Sequence, residues 1–187
     1  MKITHLVPVV PLAFGALLLT GCGKPATTGD AATKPVSSAL AALPKIGPAP
    51  AWKLKDVDGK DVAFAQLKGK VVVVDFWATW CGPCRVEIPG YVAMQKKYGD
   101  QLAIVGVSLD QGGPEVVKAF AAKYGINYAL VMGDDEIQKA FGGIEAIPTT
   151  FLIDRDGQIR DRKVGAEHSE TYEQKVAAVL GEGAKKS

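Results

Sequence analysis

An α/β layered domain built on a central mixed β-sheet is the fold class this sequence predicts, and three observations predict it. Four consecutive valines, Val71–Val74, run into Asp75, Phe76 and Trp77 without polar alternation. That is the pattern of a strand buried on both faces under helices. Helical and strand-like patterns then alternate from residue 83 to 141, as parallel-sheet folds require. A β-hairpin and an amphipathic helix follow, which adds antiparallel pairing to the parallel part.

The chain starts with an address. Met1 to His5 carries one lysine, and Leu6 to Leu19 is apolar with two prolines. About fourteen apolar residues are few for a membrane span and suit a signal-peptide core. Leu19-Thr20-Gly21-Cys22 resembles the lipobox of bacterial lipoproteins. That resemblance implies cleavage before Cys22 and a diacylglycerol on its sulfur; the alternative is an ordinary signal peptide or uncleaved anchor. Residues 1–21 are thus expected to be the lipoprotein signal peptide. Residues 22–50, rich in Ala, Thr, Ser, Pro and Gly, read as the lipidated cysteine and a flexible linker, and residues 51–187 as the folded domain. About 25 flexible residues reach roughly 25–30 Å, enough to clear lipid headgroups.

Within the domain, Trp52–Val57 and Asp61–Leu67 flank Asp58-Gly59, a two-residue hairpin signal. Lys68-Gly69-Lys70 turns into the valine strand. Helical spacing runs from Pro83 to Tyr98, with Gly99 as a stop and Pro89 predicting a kink. Leu102–Leu109 is a second apolar strand, and Gly112-Gly113-Pro114 opens a helix closed by Gly125. Tyr128–Met132 reads as a strand and Asp134–Phe141 as a short helix. Thr149–Ile153 and Gln158–Val164 form a hairpin around Asp156-Gly157. Ser169–Leu180 is the final helix, with Ser169 as its N-cap.

Of 187 residues, 48% are hydrophobic and 22% charged, which fits one globular domain. Lys and Arg number 22 against 20 Asp and Glu, a net +2 without long runs, so no basic patch speaks for nucleic acid. Three cysteines are too few for a disulfide scaffold, and with two isolated histidines no zinc spacing appears. No metal or cofactor is expected.

The chemistry is expected in Cys81-Gly82-Pro83-Cys84, where a strand gives way to a helix. Three residues apart, Cys81 and Cys84 form a small-loop redox dithiol. Unpaired amides and the helix dipole at a helix start favour the Cys81 thiolate, making it the nucleophile and Cys84 the resolving thiol. Asp75, in an otherwise apolar strand, is expected to have a raised pKa and to accept the Cys84 proton; the alternative is a hydrogen-bonded aspartate without a catalytic role. Glu87, three residues after Cys84, shares its helix face. It reads as a second acid/base, a charge raising both thiol pKa values, or a solvated helix carboxylate.

Trp80-Cys81-Gly82-Pro83-Cys84 resembles the thioredoxin active site, and the likeness extends along residues 70 to 180. Asp75-Phe76-Trp77-Ala78 is similar to the strand leading into that site, and Pro89 to its kink proline. Ile147-Pro148-Thr149 is similar to the cis-proline loop, and Lys163-Val164-Gly165-Ala166 to the glycine segment after the last strand. The resemblance implies a thioredoxin fold, with the Trp52–Leu67 hairpin as an N-terminal addition. It implies substrate contacts at Trp80, Gly82, Pro83, Ile147, Pro148 and Gly165, with Ile147 pairing its backbone to an extended substrate. Glu87 gives Cys-x-x-Cys-x-x-Glu-x-Pro, similar to the TlpA/ResA group of membrane-tethered, extracytoplasmic thioredoxins. Residues 113–133 look like that group's helix-strand insertion. The lysine that partners the buried aspartate in thioredoxin has no counterpart in Val105-Gly106-Val107-Ser108.

Gly-Pro between the cysteines resembles reducing thioredoxins, near about −270 mV, rather than oxidants near about −120 mV, a gap of about 7 kcal/mol for two electrons. The resemblance implies an enzyme reducing protein disulfides on the periplasmic or extracytoplasmic side of a membrane. Its electrons would come from a membrane thiol-disulfide donor, and apocytochrome c, the best-known client of the group, leads the substrate candidates. Two alternatives stay open. A thiol peroxidase would need Thr-x-x-Cys, and Thr79-Trp80-Cys81 is one residue short. A tethered chaperone or assembly factor would use the groove around Pro148 without the cysteines.

Overall fold

The computed structural model describes residues 43–184. The expected leader, Cys22, most of the expected linker and residues 185–187 lie outside the described residues.

Among the described residues, eight strands and four α-helices follow in chain order. They are β1 (Gly47–Pro48), β2 (Lys53–Lys55), β3 (Asp61–Ala63), β4 (Val71–Trp77), α1 (Gly82–Tyr98), β5 (Leu102–Ser108), α2 (Pro114–Tyr124), β6 (Ala129–Met132), α3 (Asp135–Ala140), β7 (Thr149–Ile153), β8 (Gln158–Val164) and α4 (Ser169–Ala184). One sheet has the order β1-β8-β7-β4-β5-β6. Its pairs β4–β5 and β5–β6 are parallel, and β4–β7 and β7–β8 antiparallel. The predicted mixed sheet is therefore present, with α2 and β6 as the helix-strand insertion at one edge.

The valine run becomes β4 because it has a neighbouring strand on each side and apolar side chains packed on each face; all seven of its residues are buried. Alternation divides them. Val72, Val74 and Phe76 pack with Phe141, Phe151 and Trp52 on one face. Val71 and Val73 meet Tyr91 and Met94 of α1 and Tyr172 and Val176 of α4 on the other. Each buried aliphatic or aromatic side chain contributes roughly 1.5–3 kcal/mol, so the central strand anchors the loop that follows it. Ser169 packs against Gly90, where any Cβ would collide with it; glycine there lets α4 approach α1 closely.

Three expectations need correction. The linker does not extend to residue 50: β1 pairs with β8, Ala49 donates to the Gly157 carbonyl at 2.9 Å, and the Leu43 carbonyl accepts from Arg160 Nε at 2.9 Å. Prolines that forbid a helix there are compatible with a short edge strand. The N-terminal hairpin is shorter and its turn longer than two residues. The Asp56 carboxylate accepts from the amides of Asp58 and Lys60, both at 2.8 Å, an Asx arrangement that widens the loop. Ser169 is the first residue of α4 rather than its cap; the Tyr172 amide donates to the His168 carbonyl. Pro89 lies within α1, and the helix runs to Tyr98 as its spacing predicts.

Candidate active site

The site forms where β4 runs into α1. Thr79 and Trp80 bridge the two, and Asp110, beyond the end of β5, holds the bridge in place. Asp110 accepts from the Thr79 amide at 2.9 Å, the Thr79 hydroxyl at 2.5 Å and the Ser108 hydroxyl at 2.8 Å. Cys81 then takes the N-cap position, in extended backbone, with Gly82 and Pro83 as the first two helical residues. Proline suits this place, because its missing N–H would find no intrahelical acceptor.

Cys81 and Cys84 form a disulfide, with Cα atoms 5.3 Å apart. The Cys84 amide donates to Cys81 Sγ at 3.2 Å. A sulfur that accepts a helix-start amide is stabilised as an anion once the disulfide opens. Cys81 Sγ also lies 3.8 Å from the Ile147 carbonyl. Both cysteines are largely buried, while Trp80 beside them is 67% exposed. The Ile147–Pro148 bond is cis, and the Gly165 amide donates to the Pro148 carbonyl at 2.8 Å. Gly165 has φ +86°, a conformation that favours glycine. The fold thus gathers Trp80, the disulfide, Ile147, Pro148 and, through Pro148, Gly165 at one end of the sheet.

Asp75 and Glu87 belong to a buried layer beneath that end. Asp75 points to the α1 side of the sheet, between Val73 and Trp77. Asp75 pairs in register with Thr150, and Thr150 with Lys163, so the three form one row across β4, β7 and β8. Thr150 donates its hydroxyl to Asp75 Oδ1 at 2.9 Å, and Tyr91 OH lies 3.2 Å from the same hydroxyl oxygen. Glu87 descends from α1 and closes the layer. Its Oε1 accepts from Lys163 Nζ and from the Glu167 amide at 3.0 Å, while Oε2 is buried without a hydrogen bond among the described residues. Asp75, Glu87 and Lys163 are 5%, 4% and 8% exposed, so all three are removed from water.

Burial raises the Asp75 carboxyl to about 7, and the Glu87 carboxylate adds to the rise. The Thr150 hydrogen bond and the Lys163 charge pull in the other direction. The desolvation expected from an acid in an apolar strand is therefore the dominant effect. The same burial pushes Tyr91 and Tyr172 upward, with Asp75 as the next contributor to each.

Glu87 is an ion-paired buried carboxylate, so of its three readings the solvated one is corrected. The missing lysine is also explained. Residue 106, opposite Asp75 on β5, is glycine because the Trp77 indole and Leu130 fill the space; the cation enters from β8 instead, as Lys163. Sequence reasoning noted Lys163 only as part of a segment, since its pairing with Glu87 spans 76 positions. Thr150 and Asp110 were missed, and no local motif marks either. Cys22 lies outside the described residues. Among the described residues, no His, Cys, Asp and Glu cluster could hold a metal ion.

Comparison with known proteins places this geometry among relatives. The AhpC/TSA family pattern matches residues 47–162. The thioredoxin-like protein YneN of Bacillus subtilis is 35% identical over 130 residues, 68% of this chain and 76% of that one. The thiol-disulfide oxidoreductase ResA of Bacillus anthracis is 34% identical over 128 residues, 67% of this chain and 72% of that one. A thiol:disulfide interchange protein of the thioredoxin family from Chlorobium tepidum superposes with a TM-score of 0.67 at 38% identity. That match covers 72% of this chain and 97% of the other.

Proposed function

The chain belongs to the AhpC/TSA family, as a thioredoxin-like, ResA-related thiol-disulfide oxidoreductase, and from that premise we propose that it reduces protein disulfides outside the cytoplasm. The observation that carries the reading is the Cys81–Cys84 disulfide at the start of α1, with the Cys84 amide directed at Cys81 Sγ. This geometry favours a thiolate on Cys81 and keeps the resolving thiol within bonding reach.

The cycle balances as two exchanges. The Cys81 thiolate attacks one sulfur of a substrate disulfide, forming a mixed disulfide and releasing the first substrate thiolate. Cys84 loses its proton to the Asp75 carboxylate and attacks Cys81 Sγ. The Cys81–Cys84 bond forms, the mixed disulfide breaks, and the second substrate thiolate leaves. Two electrons have passed from enzyme to substrate. A carboxyl titrating near 7 suits this proton transfer, since it takes and returns a proton close to neutral pH.

The substrate is held at the exposed Trp80, along Gly82 and Pro83, and by the Ile147 backbone at the cis-Pro148 bend, with Gly165 leaving room for its chain. Glu87 acts on this chemistry through its charge in the layer below. Residues 1–21 are the leader, and Cys22 carries the lipid that anchors the protein to a membrane. The tether ends no later than Leu43, whose carbonyl already accepts from Arg160 Nε. A membrane thiol-disulfide donor returns the electrons, and apocytochrome c is the leading client by resemblance.

Trapping tests the substrate step. In a Cys84→Ser protein the mixed disulfide on Cys81 cannot be resolved, so disulfide-linked client should accumulate in non-reducing gels of cell envelopes. Release of client as fast as from the parent would contradict the assignment of Cys84.

A further inference from the structure

The layer beneath the dithiol holds two carboxylates and one cation, all withdrawn from water. We propose that Lys163 is the positioning residue of this layer: it pins the Glu87 side chain against β8 and sets, through space, how readily Asp75 takes up and returns a proton.

Three observations carry the proposal. First, Lys163 shares the cross-strand row Asp75–Thr150–Lys163, so β8 brings it to the face on which Asp75 stands. Second, Lys163 is ion-paired to Glu87, a carboxylate whose other oxygen has no hydrogen bond among the described residues. A buried carboxylate so poorly compensated needs its cation. Third, the alternative position for a cation, opposite Asp75 on β5, is closed: a Cβ on Gly106 would meet Leu130 at 2.7 Å and Trp77 Nε1 at 2.8 Å.

The magnitude is large enough to read. Two strand spacings separate β4 from β8, about 10 Å of backbone. A unit charge at that range, with an effective dielectric near 20, changes a carboxyl's proton affinity roughly ten- to twentyfold. The Glu87 carboxylate acts on Asp75 in the opposite sense. The pair therefore leaves Asp75 governed by burial, and removing Lys163 alone would leave Glu87 uncompensated.

The other titratable groups around the layer are accounted for. Cys81 caps α1, Cys84, Glu87 and Tyr91 come from α1 itself, and Tyr128 from the segment before β6. Asp161 of β8, Glu167 of the next loop and Tyr172 and Lys175 of α4 complete the set. Lys175 is tied to Asp161 and Glu167, each at 3.0 Å. The other buried cation, Arg160, pairs with Asp154 and Glu182. Among the described residues, Lys163 is the buried cation left to serve Asp75 and Glu87.

The proposal rests on the reading of Cys81 and Cys84 as the working dithiol with Asp75 as its proton acceptor. The test separates the two, because it follows the Asp75 carboxyl in the oxidised full chain, where no turnover occurs. Carbon-13 NMR of aspartate-labelled protein, assigned with Asp75→Asn, gives the titration midpoint. Lys163→Met, which keeps the apolar stem, should raise that midpoint by about one pH unit, a tenfold gain in proton affinity. Lys163→Arg should leave it within about 0.3 unit. A cooperatively folded Lys163→Met protein with an unchanged midpoint would overturn the proposal. If Lys163→Met does not fold, Glu87→Gln and Glu87→Gln/Lys163→Met are compared in the same way, with the same rise expected. Failure of both Met variants to fold would also overturn it, leaving Lys163 a purely structural role.

Discussion

Gly106 stands directly opposite Asp75 across the parallel β4–β5 pair, and the space in front of its Cα is occupied by Trp77 and Leu130. Because Trp77 continues into the motif loop, this close approach ties the sheet core to the dithiol. Gly106→Ala should destabilise the fold by about 1–3 kcal/mol through overpacking, seen as a lower urea midpoint with an unchanged slope. Unchanged stability would mean that the indole and Leu130 move aside without cost.

Asp110 fixes the other side of the loop through Thr79 and Ser108. Asp110→Ala leaves three donors without their acceptor and should cost about 1–3 kcal/mol. It should also loosen Cys81, slowing its reaction with a small aromatic disulfide more than tenfold at pH 7. Rates within twofold of the parent would show that the loop is held without Asp110.

Asp75 makes stability depend on pH in a defined direction. Its folded value is raised from the ordinary 3.8 to about 7. Between roughly pH 4 and pH 7 the folded state therefore keeps a proton that the unfolded chain has released. Stability falls as pH rises through that window and levels above it. The loss is a few kcal/mol, about 1.4 per pH unit of difference. Asp75→Asn removes this contribution, so the variant should gain on the parent between pH 4.5 and pH 8 in denaturant titrations. Parallel curves would contradict the raised carboxyl.

The outline of this fold was legible because its signals are local. Val71–Val74 announces a two-sided buried strand, Gly112-Gly113-Pro114 a helix start and Asp156-Gly157 a turn, and each became the expected element. The dithiol was legible for the same reason, since Cys81 and Cys84 lie three positions apart. The layer beneath it was only half legible. Asp75 stood out as an acid in an apolar run, but Thr150, which bonds it, and Lys163, next in the row, come from strands far apart in the chain. Residues 43–50 misled because proline and alanine read as linker, whereas the edge pairing with β8 depends on a strand more than 100 positions away.

Replacing both cysteines with serine distinguishes catalysis from binding alone. The Cys81→Ser/Cys84→Ser protein should fold, because the disulfide closes a loop of only three positions and constrains the unfolded chain little. It should not restore a deletion strain. Full restoration would favour a chaperone that uses the groove around Pro148.

The central claim is a reducing dithiol, and its equilibrium with glutathione tests that most directly. The full chain is equilibrated across glutathione ratios at pH 7, and the Cys81–Cys84 state is trapped by alkylation there and in intact cells. The account predicts a potential near the reducing thioredoxins, about −270 mV, and dithiol as the resting state. A potential above about −150 mV with a disulfide resting state would contradict it and make the protein an oxidant.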